Sequence, residues 1–384
     1  MKPVYIVSWL FALAVSFVSC DDWLDKTPKD RLYPDVYFKT EDELRLFTNQ
    51  FYNNLVPSAV DIYSESSDLI VKSDLMLEMS GQRIIPDEGN GWNFTALRDI
   101  NFYLQYSHNC TEVNARNRYD GVARFFRAYF YFEKVKRYGD IPWYDKALDS
   151  DDPELYKARD SREFVMQKML EDLDFAIANL PKTKNAYVLT RWTALALKSR
   201  VCLFEGTFRK YHGLEDCEKY LNACVSASET FMNESGYTLY KSGSTPYRDL
   251  FASINLQADE VIFGRDYEAS LSVLHNVQNY ENSTTMGRPG MNKKIVNSYL
   301  MADGSRFTDK AGYETMTFDQ ECQNRDPRLA QTIRTPGYTR IGSTKKEAPN
   351  LAYTMTGYHL IKYSMTANYD EYNKSCNDIP LFRT

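Results

Sequence analysis

Apolar residues recur at helical spacing through the first two thirds of the chain, and this pattern most constrains the fold. Thr40 and Glu43 form an S/T-x-x-E capping box, and Leu44, Phe47 and Phe51 follow at intervals of three or four residues. Such spacing places the apolar side chains on one face of an α-helix, and the capping box marks its first turn. The sequence therefore predicts an amphipathic helix directly after Thr40.

Five further helices are predicted before residue 236. We expect helices over 94–118 and 121–138 (the latter ended by Gly139-Asp140-Ile141-Pro142), one capped by Asp160 and ended by Pro181, one capped by Thr190, and one over 214–232. Trp192, Leu195, Leu203 and the cluster Tyr129–Phe132 are expected to pack in the core of these helices. Alanine and aromatic residues at close-packing positions indicate helix pairs of the tetratricopeptide type. The predicted fold class is therefore mostly α.

The helical pattern stops near residue 236, where turn-forming residues take over. Residues 236–246 are turn-rich, 260–264 are typical of one short strand, and 292–300 of a short helix. Irregular, loop-dominated segments commonly carry binding surfaces. We therefore divide the exported chain into a helical region over 20–235 and a loop-rich region over 236–384 that contains little strand.

The first twenty residues predict export. Lys2 precedes an apolar run from Val4 to Val18 that is shorter than the roughly 20 residues needed to span a bilayer, but suits a signal peptide. The run ends with a serine before Cys20, as in bacterial lipoprotein signals. We expect removal of residues 1–19 and acylation of Cys20, which would anchor the protein in membrane lipid. An ordinary signal peptide cleaved nearby is the alternative.

The sequence contains no G-x-S-x-G elbow, H-E-x-x-H helix or Walker loop, so we predict no catalytic residue. The run Asp149–Glu154 has oxygen ligands of the kind that bind Ca²⁺, although a solvated acidic loop is the simpler interpretation. His108 and Cys110 are too few for a zinc site. The cysteines after Cys20 give no disulfide framework and are interpreted mostly as buried free thiols. No metal or cofactor is predicted.

Charge and aromatic content narrow the choice of partner. The chain has 46 basic and 52 acidic residues and a net charge of -6, whereas nucleic-acid-binding proteins usually carry a basic face. No nucleic-acid partner is therefore expected. The 29 tyrosines, 21 phenylalanines and 5 tryptophans make up 14% of the residues. We expect most of them between helices and a minority in loops, where flat rings can contact a ligand.

Several sequence motifs follow one another in an order that is typical of one protein family. They are Asp21–Pro28 after Cys20, Phe38–Glu43, Arg124–Tyr129 with Tyr138–Pro142, Gly290–Gly304, and Asn324–Leu329. In these motifs the chain resembles the SusD/RagB family of outer-membrane nutrient-binding lipoproteins, from Cys20 to its last residue. The resemblance implies a helical scaffold with tetratricopeptide-like pairs, packed against a loop-rich part that binds ligand.

The resemblance also implies a function and partners. Members of this family are anchored in the outer membrane, and Asp21-Asp22 is similar to the surface-export signal of such lipoproteins. They capture glycans and deliver them to a SusC-like TonB-dependent transporter. Some members bind peptides, so a peptide ligand is one alternative; a hydrolase of surface polysaccharide is another. The family continues beyond a segment like Asp378–Arg383 into further helices, and we expect these helices to be missing after Thr384.

The loop around Trp92 is the predicted ligand site. Trp92 and Asn93 follow a glycine-containing loop, and the corresponding loop of the family supplies a stacking aromatic ring with polar partners. A flat ring suits the apolar face of a sugar, and fixed polar groups suit its rim of hydroxyls. We predict that Trp92 stacks on the ligand and that Asn93, Asp74 and Arg83 bind its hydroxyls. Tyr280 in the loop-rich region is a further candidate.

Overall fold

The computed structural model describes residues 36–59, 62, 69–85, 89 and 91–384. The predicted signal peptide, the Cys20 anchor and the motif that follows it lie outside the described residues. Within the described part of the chain, no helix combines the length and the apolar character needed to cross a bilayer.

Helices dominate the structure and the strands are short. The α-helices are α1 (Glu41–Leu55), α2 (Leu77–Ser80), α3 (Thr95–Tyr106), α4 (Val113–Tyr138), α5 (Arg162–Asn179), α6 (Arg191–His212), α7 (Cys217–Glu234), α8 (Pro246–Ala252), α9 (Val277–Glu281), α10 (Lys293–Ser298), α11 (Phe318–Glu321) and α12 (Pro327–Ala330). The strands are β1 (Ile70–Val71), β2 (Val261–Arg265), β3 (Gly290–Met291) and β4 (Ile379–Arg383). They pair antiparallel, β1 with β3 and β2 with β4. The predicted mostly α-helical class is confirmed.

Consecutive long helices pack against each other, which confirms the predicted helix pairs. Helix α4 packs on α5, α5 on α6 and α6 on α7, while α1 and α3 cover the other side of α4. Aromatic rings fill the spaces between them: Phe51 meets Phe126 edge-on at 6.1 Å, and Tyr131 stacks on Trp143 at 4.3 Å. Trp192 and most of the Tyr129–Phe132 cluster are buried, as predicted. Perpendicular and offset rings pack favourably beyond the area that they bury.

Local capping chemistry sets several helix ends where the sequence predicts them. The Thr40 side chain accepts a hydrogen bond from the Glu43 amide, and the Glu43 carboxylate accepts one from the Thr40 amide. Thr190 caps α6 in the same way. Gly139 ends α4 with a φ of 71°, a left-handed value that glycine adopts readily. These ends are confirmed.

The boundary predicted between the helices over 94–118 and 121–138 is wrong. Helix α3 ends at Tyr106, and α4 runs uninterrupted through Gly121. A Cβ atom on Gly121 would lie 3.3 Å from Cγ of Leu180. The glycine therefore permits close approach of α5 to the middle of α4, and it does not mark the beginning of a helix.

The predicted cap of α5 is also wrong by one residue. Ser161 is the N-cap, and its hydroxyl accepts a hydrogen bond from the Phe164 amide at 3.3 Å. The Asp160 carboxylate instead accepts one from the Trp143 amide at 2.7 Å. Asp160 thus fastens the segment after α4 to the beginning of α5, a long-range contact that its position in the sequence does not indicate.

Two predictions for α6 and α7 need correction. Leu203 is 51% exposed, because it opens onto a groove between α6 and α7 that these helices do not fill. Helix α7 begins at Cys217 rather than at residue 214, since Gly213 and Asp216 both adopt left-handed backbone angles before it.

A second apolar core lies mostly in the loop-rich region, and Ala59 and Ala186 of the helical region also belong to it. Phe251, Val261 and Ile333 belong to it, whereas Ile262 and Phe382 pack with the helices of the first core. The predicted strand and short helix appear as β2 and α10, each within two residues of its expected ends. The six cysteines after Cys20 are free thiols, as predicted, but only three of them are buried, so the expectation that most are buried is wrong. The division of the chain at residue 235 stays a prediction.

Candidate ligand-binding site

Trp92 lies at the edge of a cavity between α3 and the segment that follows α4. The cavity has a volume of about 310 Å³, and aromatic side chains form much of its wall. Its lining residues are Trp92, Phe94, Thr95, Leu97, Arg98, Asn101, Tyr144, Lys146, Leu148 and Leu155. We call this cavity the Trp92 pocket.

Gly91, directly before Trp92, is fixed to the end of α4. The Trp92 amide donates a hydrogen bond to the Gly89 carbonyl at 3.1 Å, and the Lys134 ammonium donates one to the Gly91 carbonyl. Gly91 has a φ of 87°, and a Cβ atom there would lie 3.2 Å from the Tyr138 hydroxyl. Both the backbone angle and the contact favour glycine. These contacts place Gly91 and Trp92 against α4.

The Trp92 ring is held in place and remains partly open to solvent. The rings of Tyr138 and Phe94 meet it nearly perpendicularly, at centroid distances of 4.9 and 5.3 Å. The Arg159 guanidinium lies 5.0 Å from its centroid, within the range of a cation–π contact. The residue is 39% exposed. An oriented, half-open indole loses little freedom when a ligand covers it.

Tyr144 adds a further ring to the wall. Its ring lies 5.7 Å from that of Phe94 at 78°, and its hydroxyl donates a hydrogen bond to the Leu155 carbonyl at 3.3 Å. Burial raises the pKa of Tyr144, with smaller contributions from the carboxylates of Glu154 and Asp160. The phenol is therefore neutral at physiological pH, and Trp92, Phe94 and Tyr144 form a continuous aromatic surface.

A buried hydrogen-bond network supports the floor of the pocket. The Asn101 amide donates to the carbonyl oxygens of Tyr144 and Lys146, at 2.9 and 3.3 Å, and accepts from the Arg127 guanidinium. Arg127 forms a two-point ion pair with Asp172 on α5. Burial opposes the charge of Arg127, but the bonds to Asp172 outweigh it and the pKa of Arg127 is raised. Asn101 thereby fixes the 144–146 segment opposite Trp92.

The rim of the pocket carries hydrogen-bond donors with balanced charge. Arg98 donates through Nε to the Leu148 carbonyl at 3.1 Å, and its outer nitrogen lies 4.0 Å from Asp149. The Lys146 ammonium lies 3.3 Å from Asp152. Both basic side chains are more than half exposed. They can therefore reach a ligand, while the two carboxylates keep the rim close to neutral.

The structure brings only part of the predicted site together. Asn93 is adjacent to the pocket, but its side chain accepts a hydrogen bond from the Thr95 amide at 2.8 Å and so closes a turn directly before α3. Asp74 and Arg83 are exposed on either side of α2 and do not line the pocket. Tyr280 lies on α9 and packs against the second core. Ligand contact by these residues stays a prediction.

The sequence gives no sign that Tyr144, Arg98 and Lys146 share a site with Trp92. Tyr144 follows the Pro142 that ends a helix, and such a residue is expected to pack locally. Asn101 on α3 holds the segment that contains Tyr144 beside the pocket. Its hydrogen bonds join residues more than 40 positions apart in the sequence.

Comparisons with known proteins identify the family. A SusD family model matches residues 250–384, and a second model, described as "Starch-binding associating with outer membrane", matches residues 81–191. This chain belongs to the SusD/RagB family. The second match contains every residue that lines the Trp92 pocket, so the pocket lies in a part of the chain that itself carries the SusD/RagB resemblance.

Three curated SusD/RagB relatives come from Formosa agariphila. SusD-like proteins P38, P25 and P2 are 24%, 20% and 26% identical to this chain over 53%, 70% and 71% of its length. The matches cover 43%, 52% and 55% of these relatives, so the chain spans about half the length of the curated relatives that it matches.

Two solved SusD/RagB structures from Bacteroides fragilis share the fold. A SusD-like protein aligns with a TM-score of 0.70 at 21% identity, and a SusD-like carbohydrate binding protein aligns with a TM-score of 0.69 at 17% identity. Each alignment covers 90% of this chain and 72% of the relative. At these identities the likeness supports the fold alone.

Proposed function

We propose that this protein binds carbohydrate in the Trp92 pocket, at the outer membrane, and delivers it to a SusC-like TonB-dependent transporter. The observation that carries the proposal is the aromatic surface of Trp92, Phe94 and Tyr144, with Arg98 and Lys146 at its rim. The starch-binding description of the matching family model and the solved relative described as carbohydrate-binding support the same ligand class. Anchoring through Cys20 is part of this proposal.

The pocket suits a sugar because it pairs flat apolar surface with directional donors. Pyranose rings present C–H groups on their faces, which pack on aromatic rings, and hydroxyls at their edges, which accept hydrogen bonds. A volume of about 310 Å³ is at the small end for ligand pockets. We therefore expect a short stretch of a glycan to sit in the pocket, with the remainder of the chain outside it.

The described residues that line the Trp92 pocket include no Asp or Glu, and Asp152 at its rim pairs with Lys146. Glycoside hydrolysis needs one carboxylic acid whose pKa is raised, so that it can protonate the leaving oxygen. The pKa of Asp152 is instead lowered, first by the hydrogen bond from the Glu154 amide and then by Lys146. Asp152 therefore remains a carboxylate that pairs with Lys146. We propose a binding protein that is not an enzyme.

Affinity electrophoresis through gels that contain starch and other soluble polysaccharides tests the proposal. Removing a central stacking tryptophan typically costs about 2 kcal/mol, or roughly thirtyfold in Kd, so Trp92→Ala should lose most of the retardation of the wild-type protein. Tyr211→Ala is the matched control, since Tyr211 is 79% exposed on α6 and does not line the pocket. It should migrate like the wild type.

Three results would contradict the proposal. Equal retardation of Trp92→Ala and the wild type would exclude the Trp92 pocket as the site. Retention on peptide ligands without retention on any polysaccharide would assign the other ligand class. New reducing ends after incubation with a polysaccharide would show that the protein is a hydrolase.

A further inference from the structure

A second cavity lies where α1, the turn before α6 and strand β2 meet. Its volume is about 330 Å³, and it shares no lining residue with the Trp92 pocket. Tyr187 stands at its edge and is 38% exposed. We call it the Tyr187 cavity. The helical region contributes one side of this cavity and the loop-rich region the other.

The Tyr187 ring is fixed from both ends. Its hydroxyl donates a hydrogen bond to the Asp378 carboxylate at 2.8 Å and accepts one from the Leu256 amide at 3.2 Å. Its own amide donates to the Asn185 side chain at 2.8 Å. Burial, followed by the bond to Asp378, raises the pKa of Tyr187 to about 12, so the phenol stays neutral. The cavity thus has a rigid, partly exposed aromatic ring at its edge.

Two more rings line the Tyr187 cavity. Tyr52 and Phe263 lie with their centroids 6.2 Å apart, and Phe263 is buried. The Tyr52 hydroxyl accepts a hydrogen bond from the Leu189 amide at 3.0 Å, which holds the turn before α6 against α1. These rings form an apolar surface beside Tyr187.

The rim of the cavity offers donors and acceptors without net charge. Asn49 and Asn53 are exposed one turn apart on α1, so both amides face the opening. Arg265 donates to the Val56 carbonyl at 2.7 Å, and the adjacent Asp266 lies close enough to Tyr187 to raise its pKa. One cation, one anion and two amides suit a neutral ligand with many hydroxyls better than they suit an anion or a charged peptide end.

We infer that the Tyr187 cavity is a second carbohydrate site, in which Tyr187 stacks on a sugar ring while Asn49, Asn53, Arg265 and Asp266 bind its hydroxyls. The inference rests on the proposed function for its ligand class, but on different residues and different elements of the fold. A polysaccharide that reaches both cavities would bind through two contacts on one chain. Its apparent affinity would then exceed that of either site alone.

Isothermal titration calorimetry on the full chain, with maltotriose first and then cellotriose and xylotriose, counts the sites. Asn53→Trp places a large side chain at the mouth of the Tyr187 cavity and leaves the bonds of Tyr187 intact. Asn54→Trp is the matched control, because Asn54 is exposed on the same helix and does not line the cavity. Tyr187→Ala serves as an independent second variant, with its thermal melt recorded beside that of the wild type.

We expect two trisaccharides per wild-type chain, one per chain in Trp92→Ala, one in Asn53→Trp, and two in Asn54→Trp. If the wild type binds one trisaccharide, and Trp92→Ala abolishes this binding whereas Asn53→Trp does not, the inference of a second site is overturned. The proposed function is then left intact. A single site with the opposite pattern would support the Tyr187 cavity and refute the Trp92 pocket. No heat with any of the three sugars would overturn both.

Discussion

Removing the Asp172 carboxylate is expected to destabilise the fold strongly, because it leaves a charge buried without its partner. Arg127 donates to both oxygens of Asp172, at 2.6 and 2.7 Å, and to Asn101. The two ionic side chains are 8% and 2% exposed. This cluster joins α4 to α5 and to the helix that carries one side of the Trp92 pocket.

The size of the effect follows from desolvation. Breaking a buried ion pair by deleting one partner costs about 3–5 kcal/mol, which is a large share of the ~5–15 kcal/mol that stabilises a typical domain. We expect Asp172→Ala to lower the free energy of unfolding by that amount. Replacing both partners, Arg127→Met with Asp172→Leu, removes the charge as well as its partner. The double variant should therefore be more stable than Asp172→Ala.

Urea unfolding followed by far-ultraviolet circular dichroism measures the difference. Glu171→Ala is the control, since Glu171 is adjacent in α5 and pairs with Lys168 in a partly exposed salt bridge of 2.8 Å. Such pairs contribute about 0–1 kcal/mol. If Asp172→Ala shifted the urea midpoint no more than Glu171→Ala does, the buried ion pair would not stabilise the fold as reasoned here.

Two further predictions concern packing and acid stability. Gly206→Ala should lower the melting temperature, because its new Cβ would lie 2.7 Å from the Leu221 side chain on α7. Overpacking of this kind costs about 1–3 kcal/mol, which outweighs the ~1 kcal/mol that alanine contributes over glycine in a helix. The free energy of unfolding should also fall between pH 7 and pH 4.5. Burial lowers the pKa of His275 to about 4 and that of His359 to about 3. As the pH drops below 6.5, these histidines therefore bind protons in the unfolded chain before they do so in the folded protein, which favours unfolding. Burial raises the pKa of Asp378 to about 6, so this group acts in the opposite direction. The three groups together predict that the free energy of unfolding falls by about 3 kcal/mol.

Differential scanning calorimetry checks both predictions. For the glycine, Lys210→Ala at an exposed position of α6 is the control, and equal melting temperatures for the two variants would argue against tight contact between α6 and α7. For the histidines, a melting temperature that stayed constant or rose between pH 7 and pH 4.5 would show that the imidazoles are not held neutral.

The features of the fold that depend on residues close together in the sequence could be predicted from it. The Thr40–Glu43 capping box, the Thr190 cap and the Gly139 stop are chemistry within one helical turn. The break between α3 and α4 was misplaced because the segment there contains neither glycine nor proline. Gly121, which looked like a boundary, serves instead as a contact surface for α5.

The sites depend on contacts that spacing does not encode. Trp92 could be predicted because its loop resembles that of a known family. Tyr144 and Lys146, in contrast, are held beside the pocket by long-range hydrogen bonds from Asn101. The Tyr187 cavity combines residues of α1, the turn before α6 and β2, which are separated by more than 70 positions along the chain. Only tertiary packing brings such residues together.

A crystal structure of the full chain with a bound oligosaccharide, chosen from the polysaccharides that retard the protein in gels, tests the Trp92 pocket most directly. We predict a sugar ring packed against the Trp92 indole, with its hydroxyls in reach of Arg98 or Lys146. An oligosaccharide bound elsewhere on the chain, with the Trp92 pocket open to solvent, would contradict the proposed site.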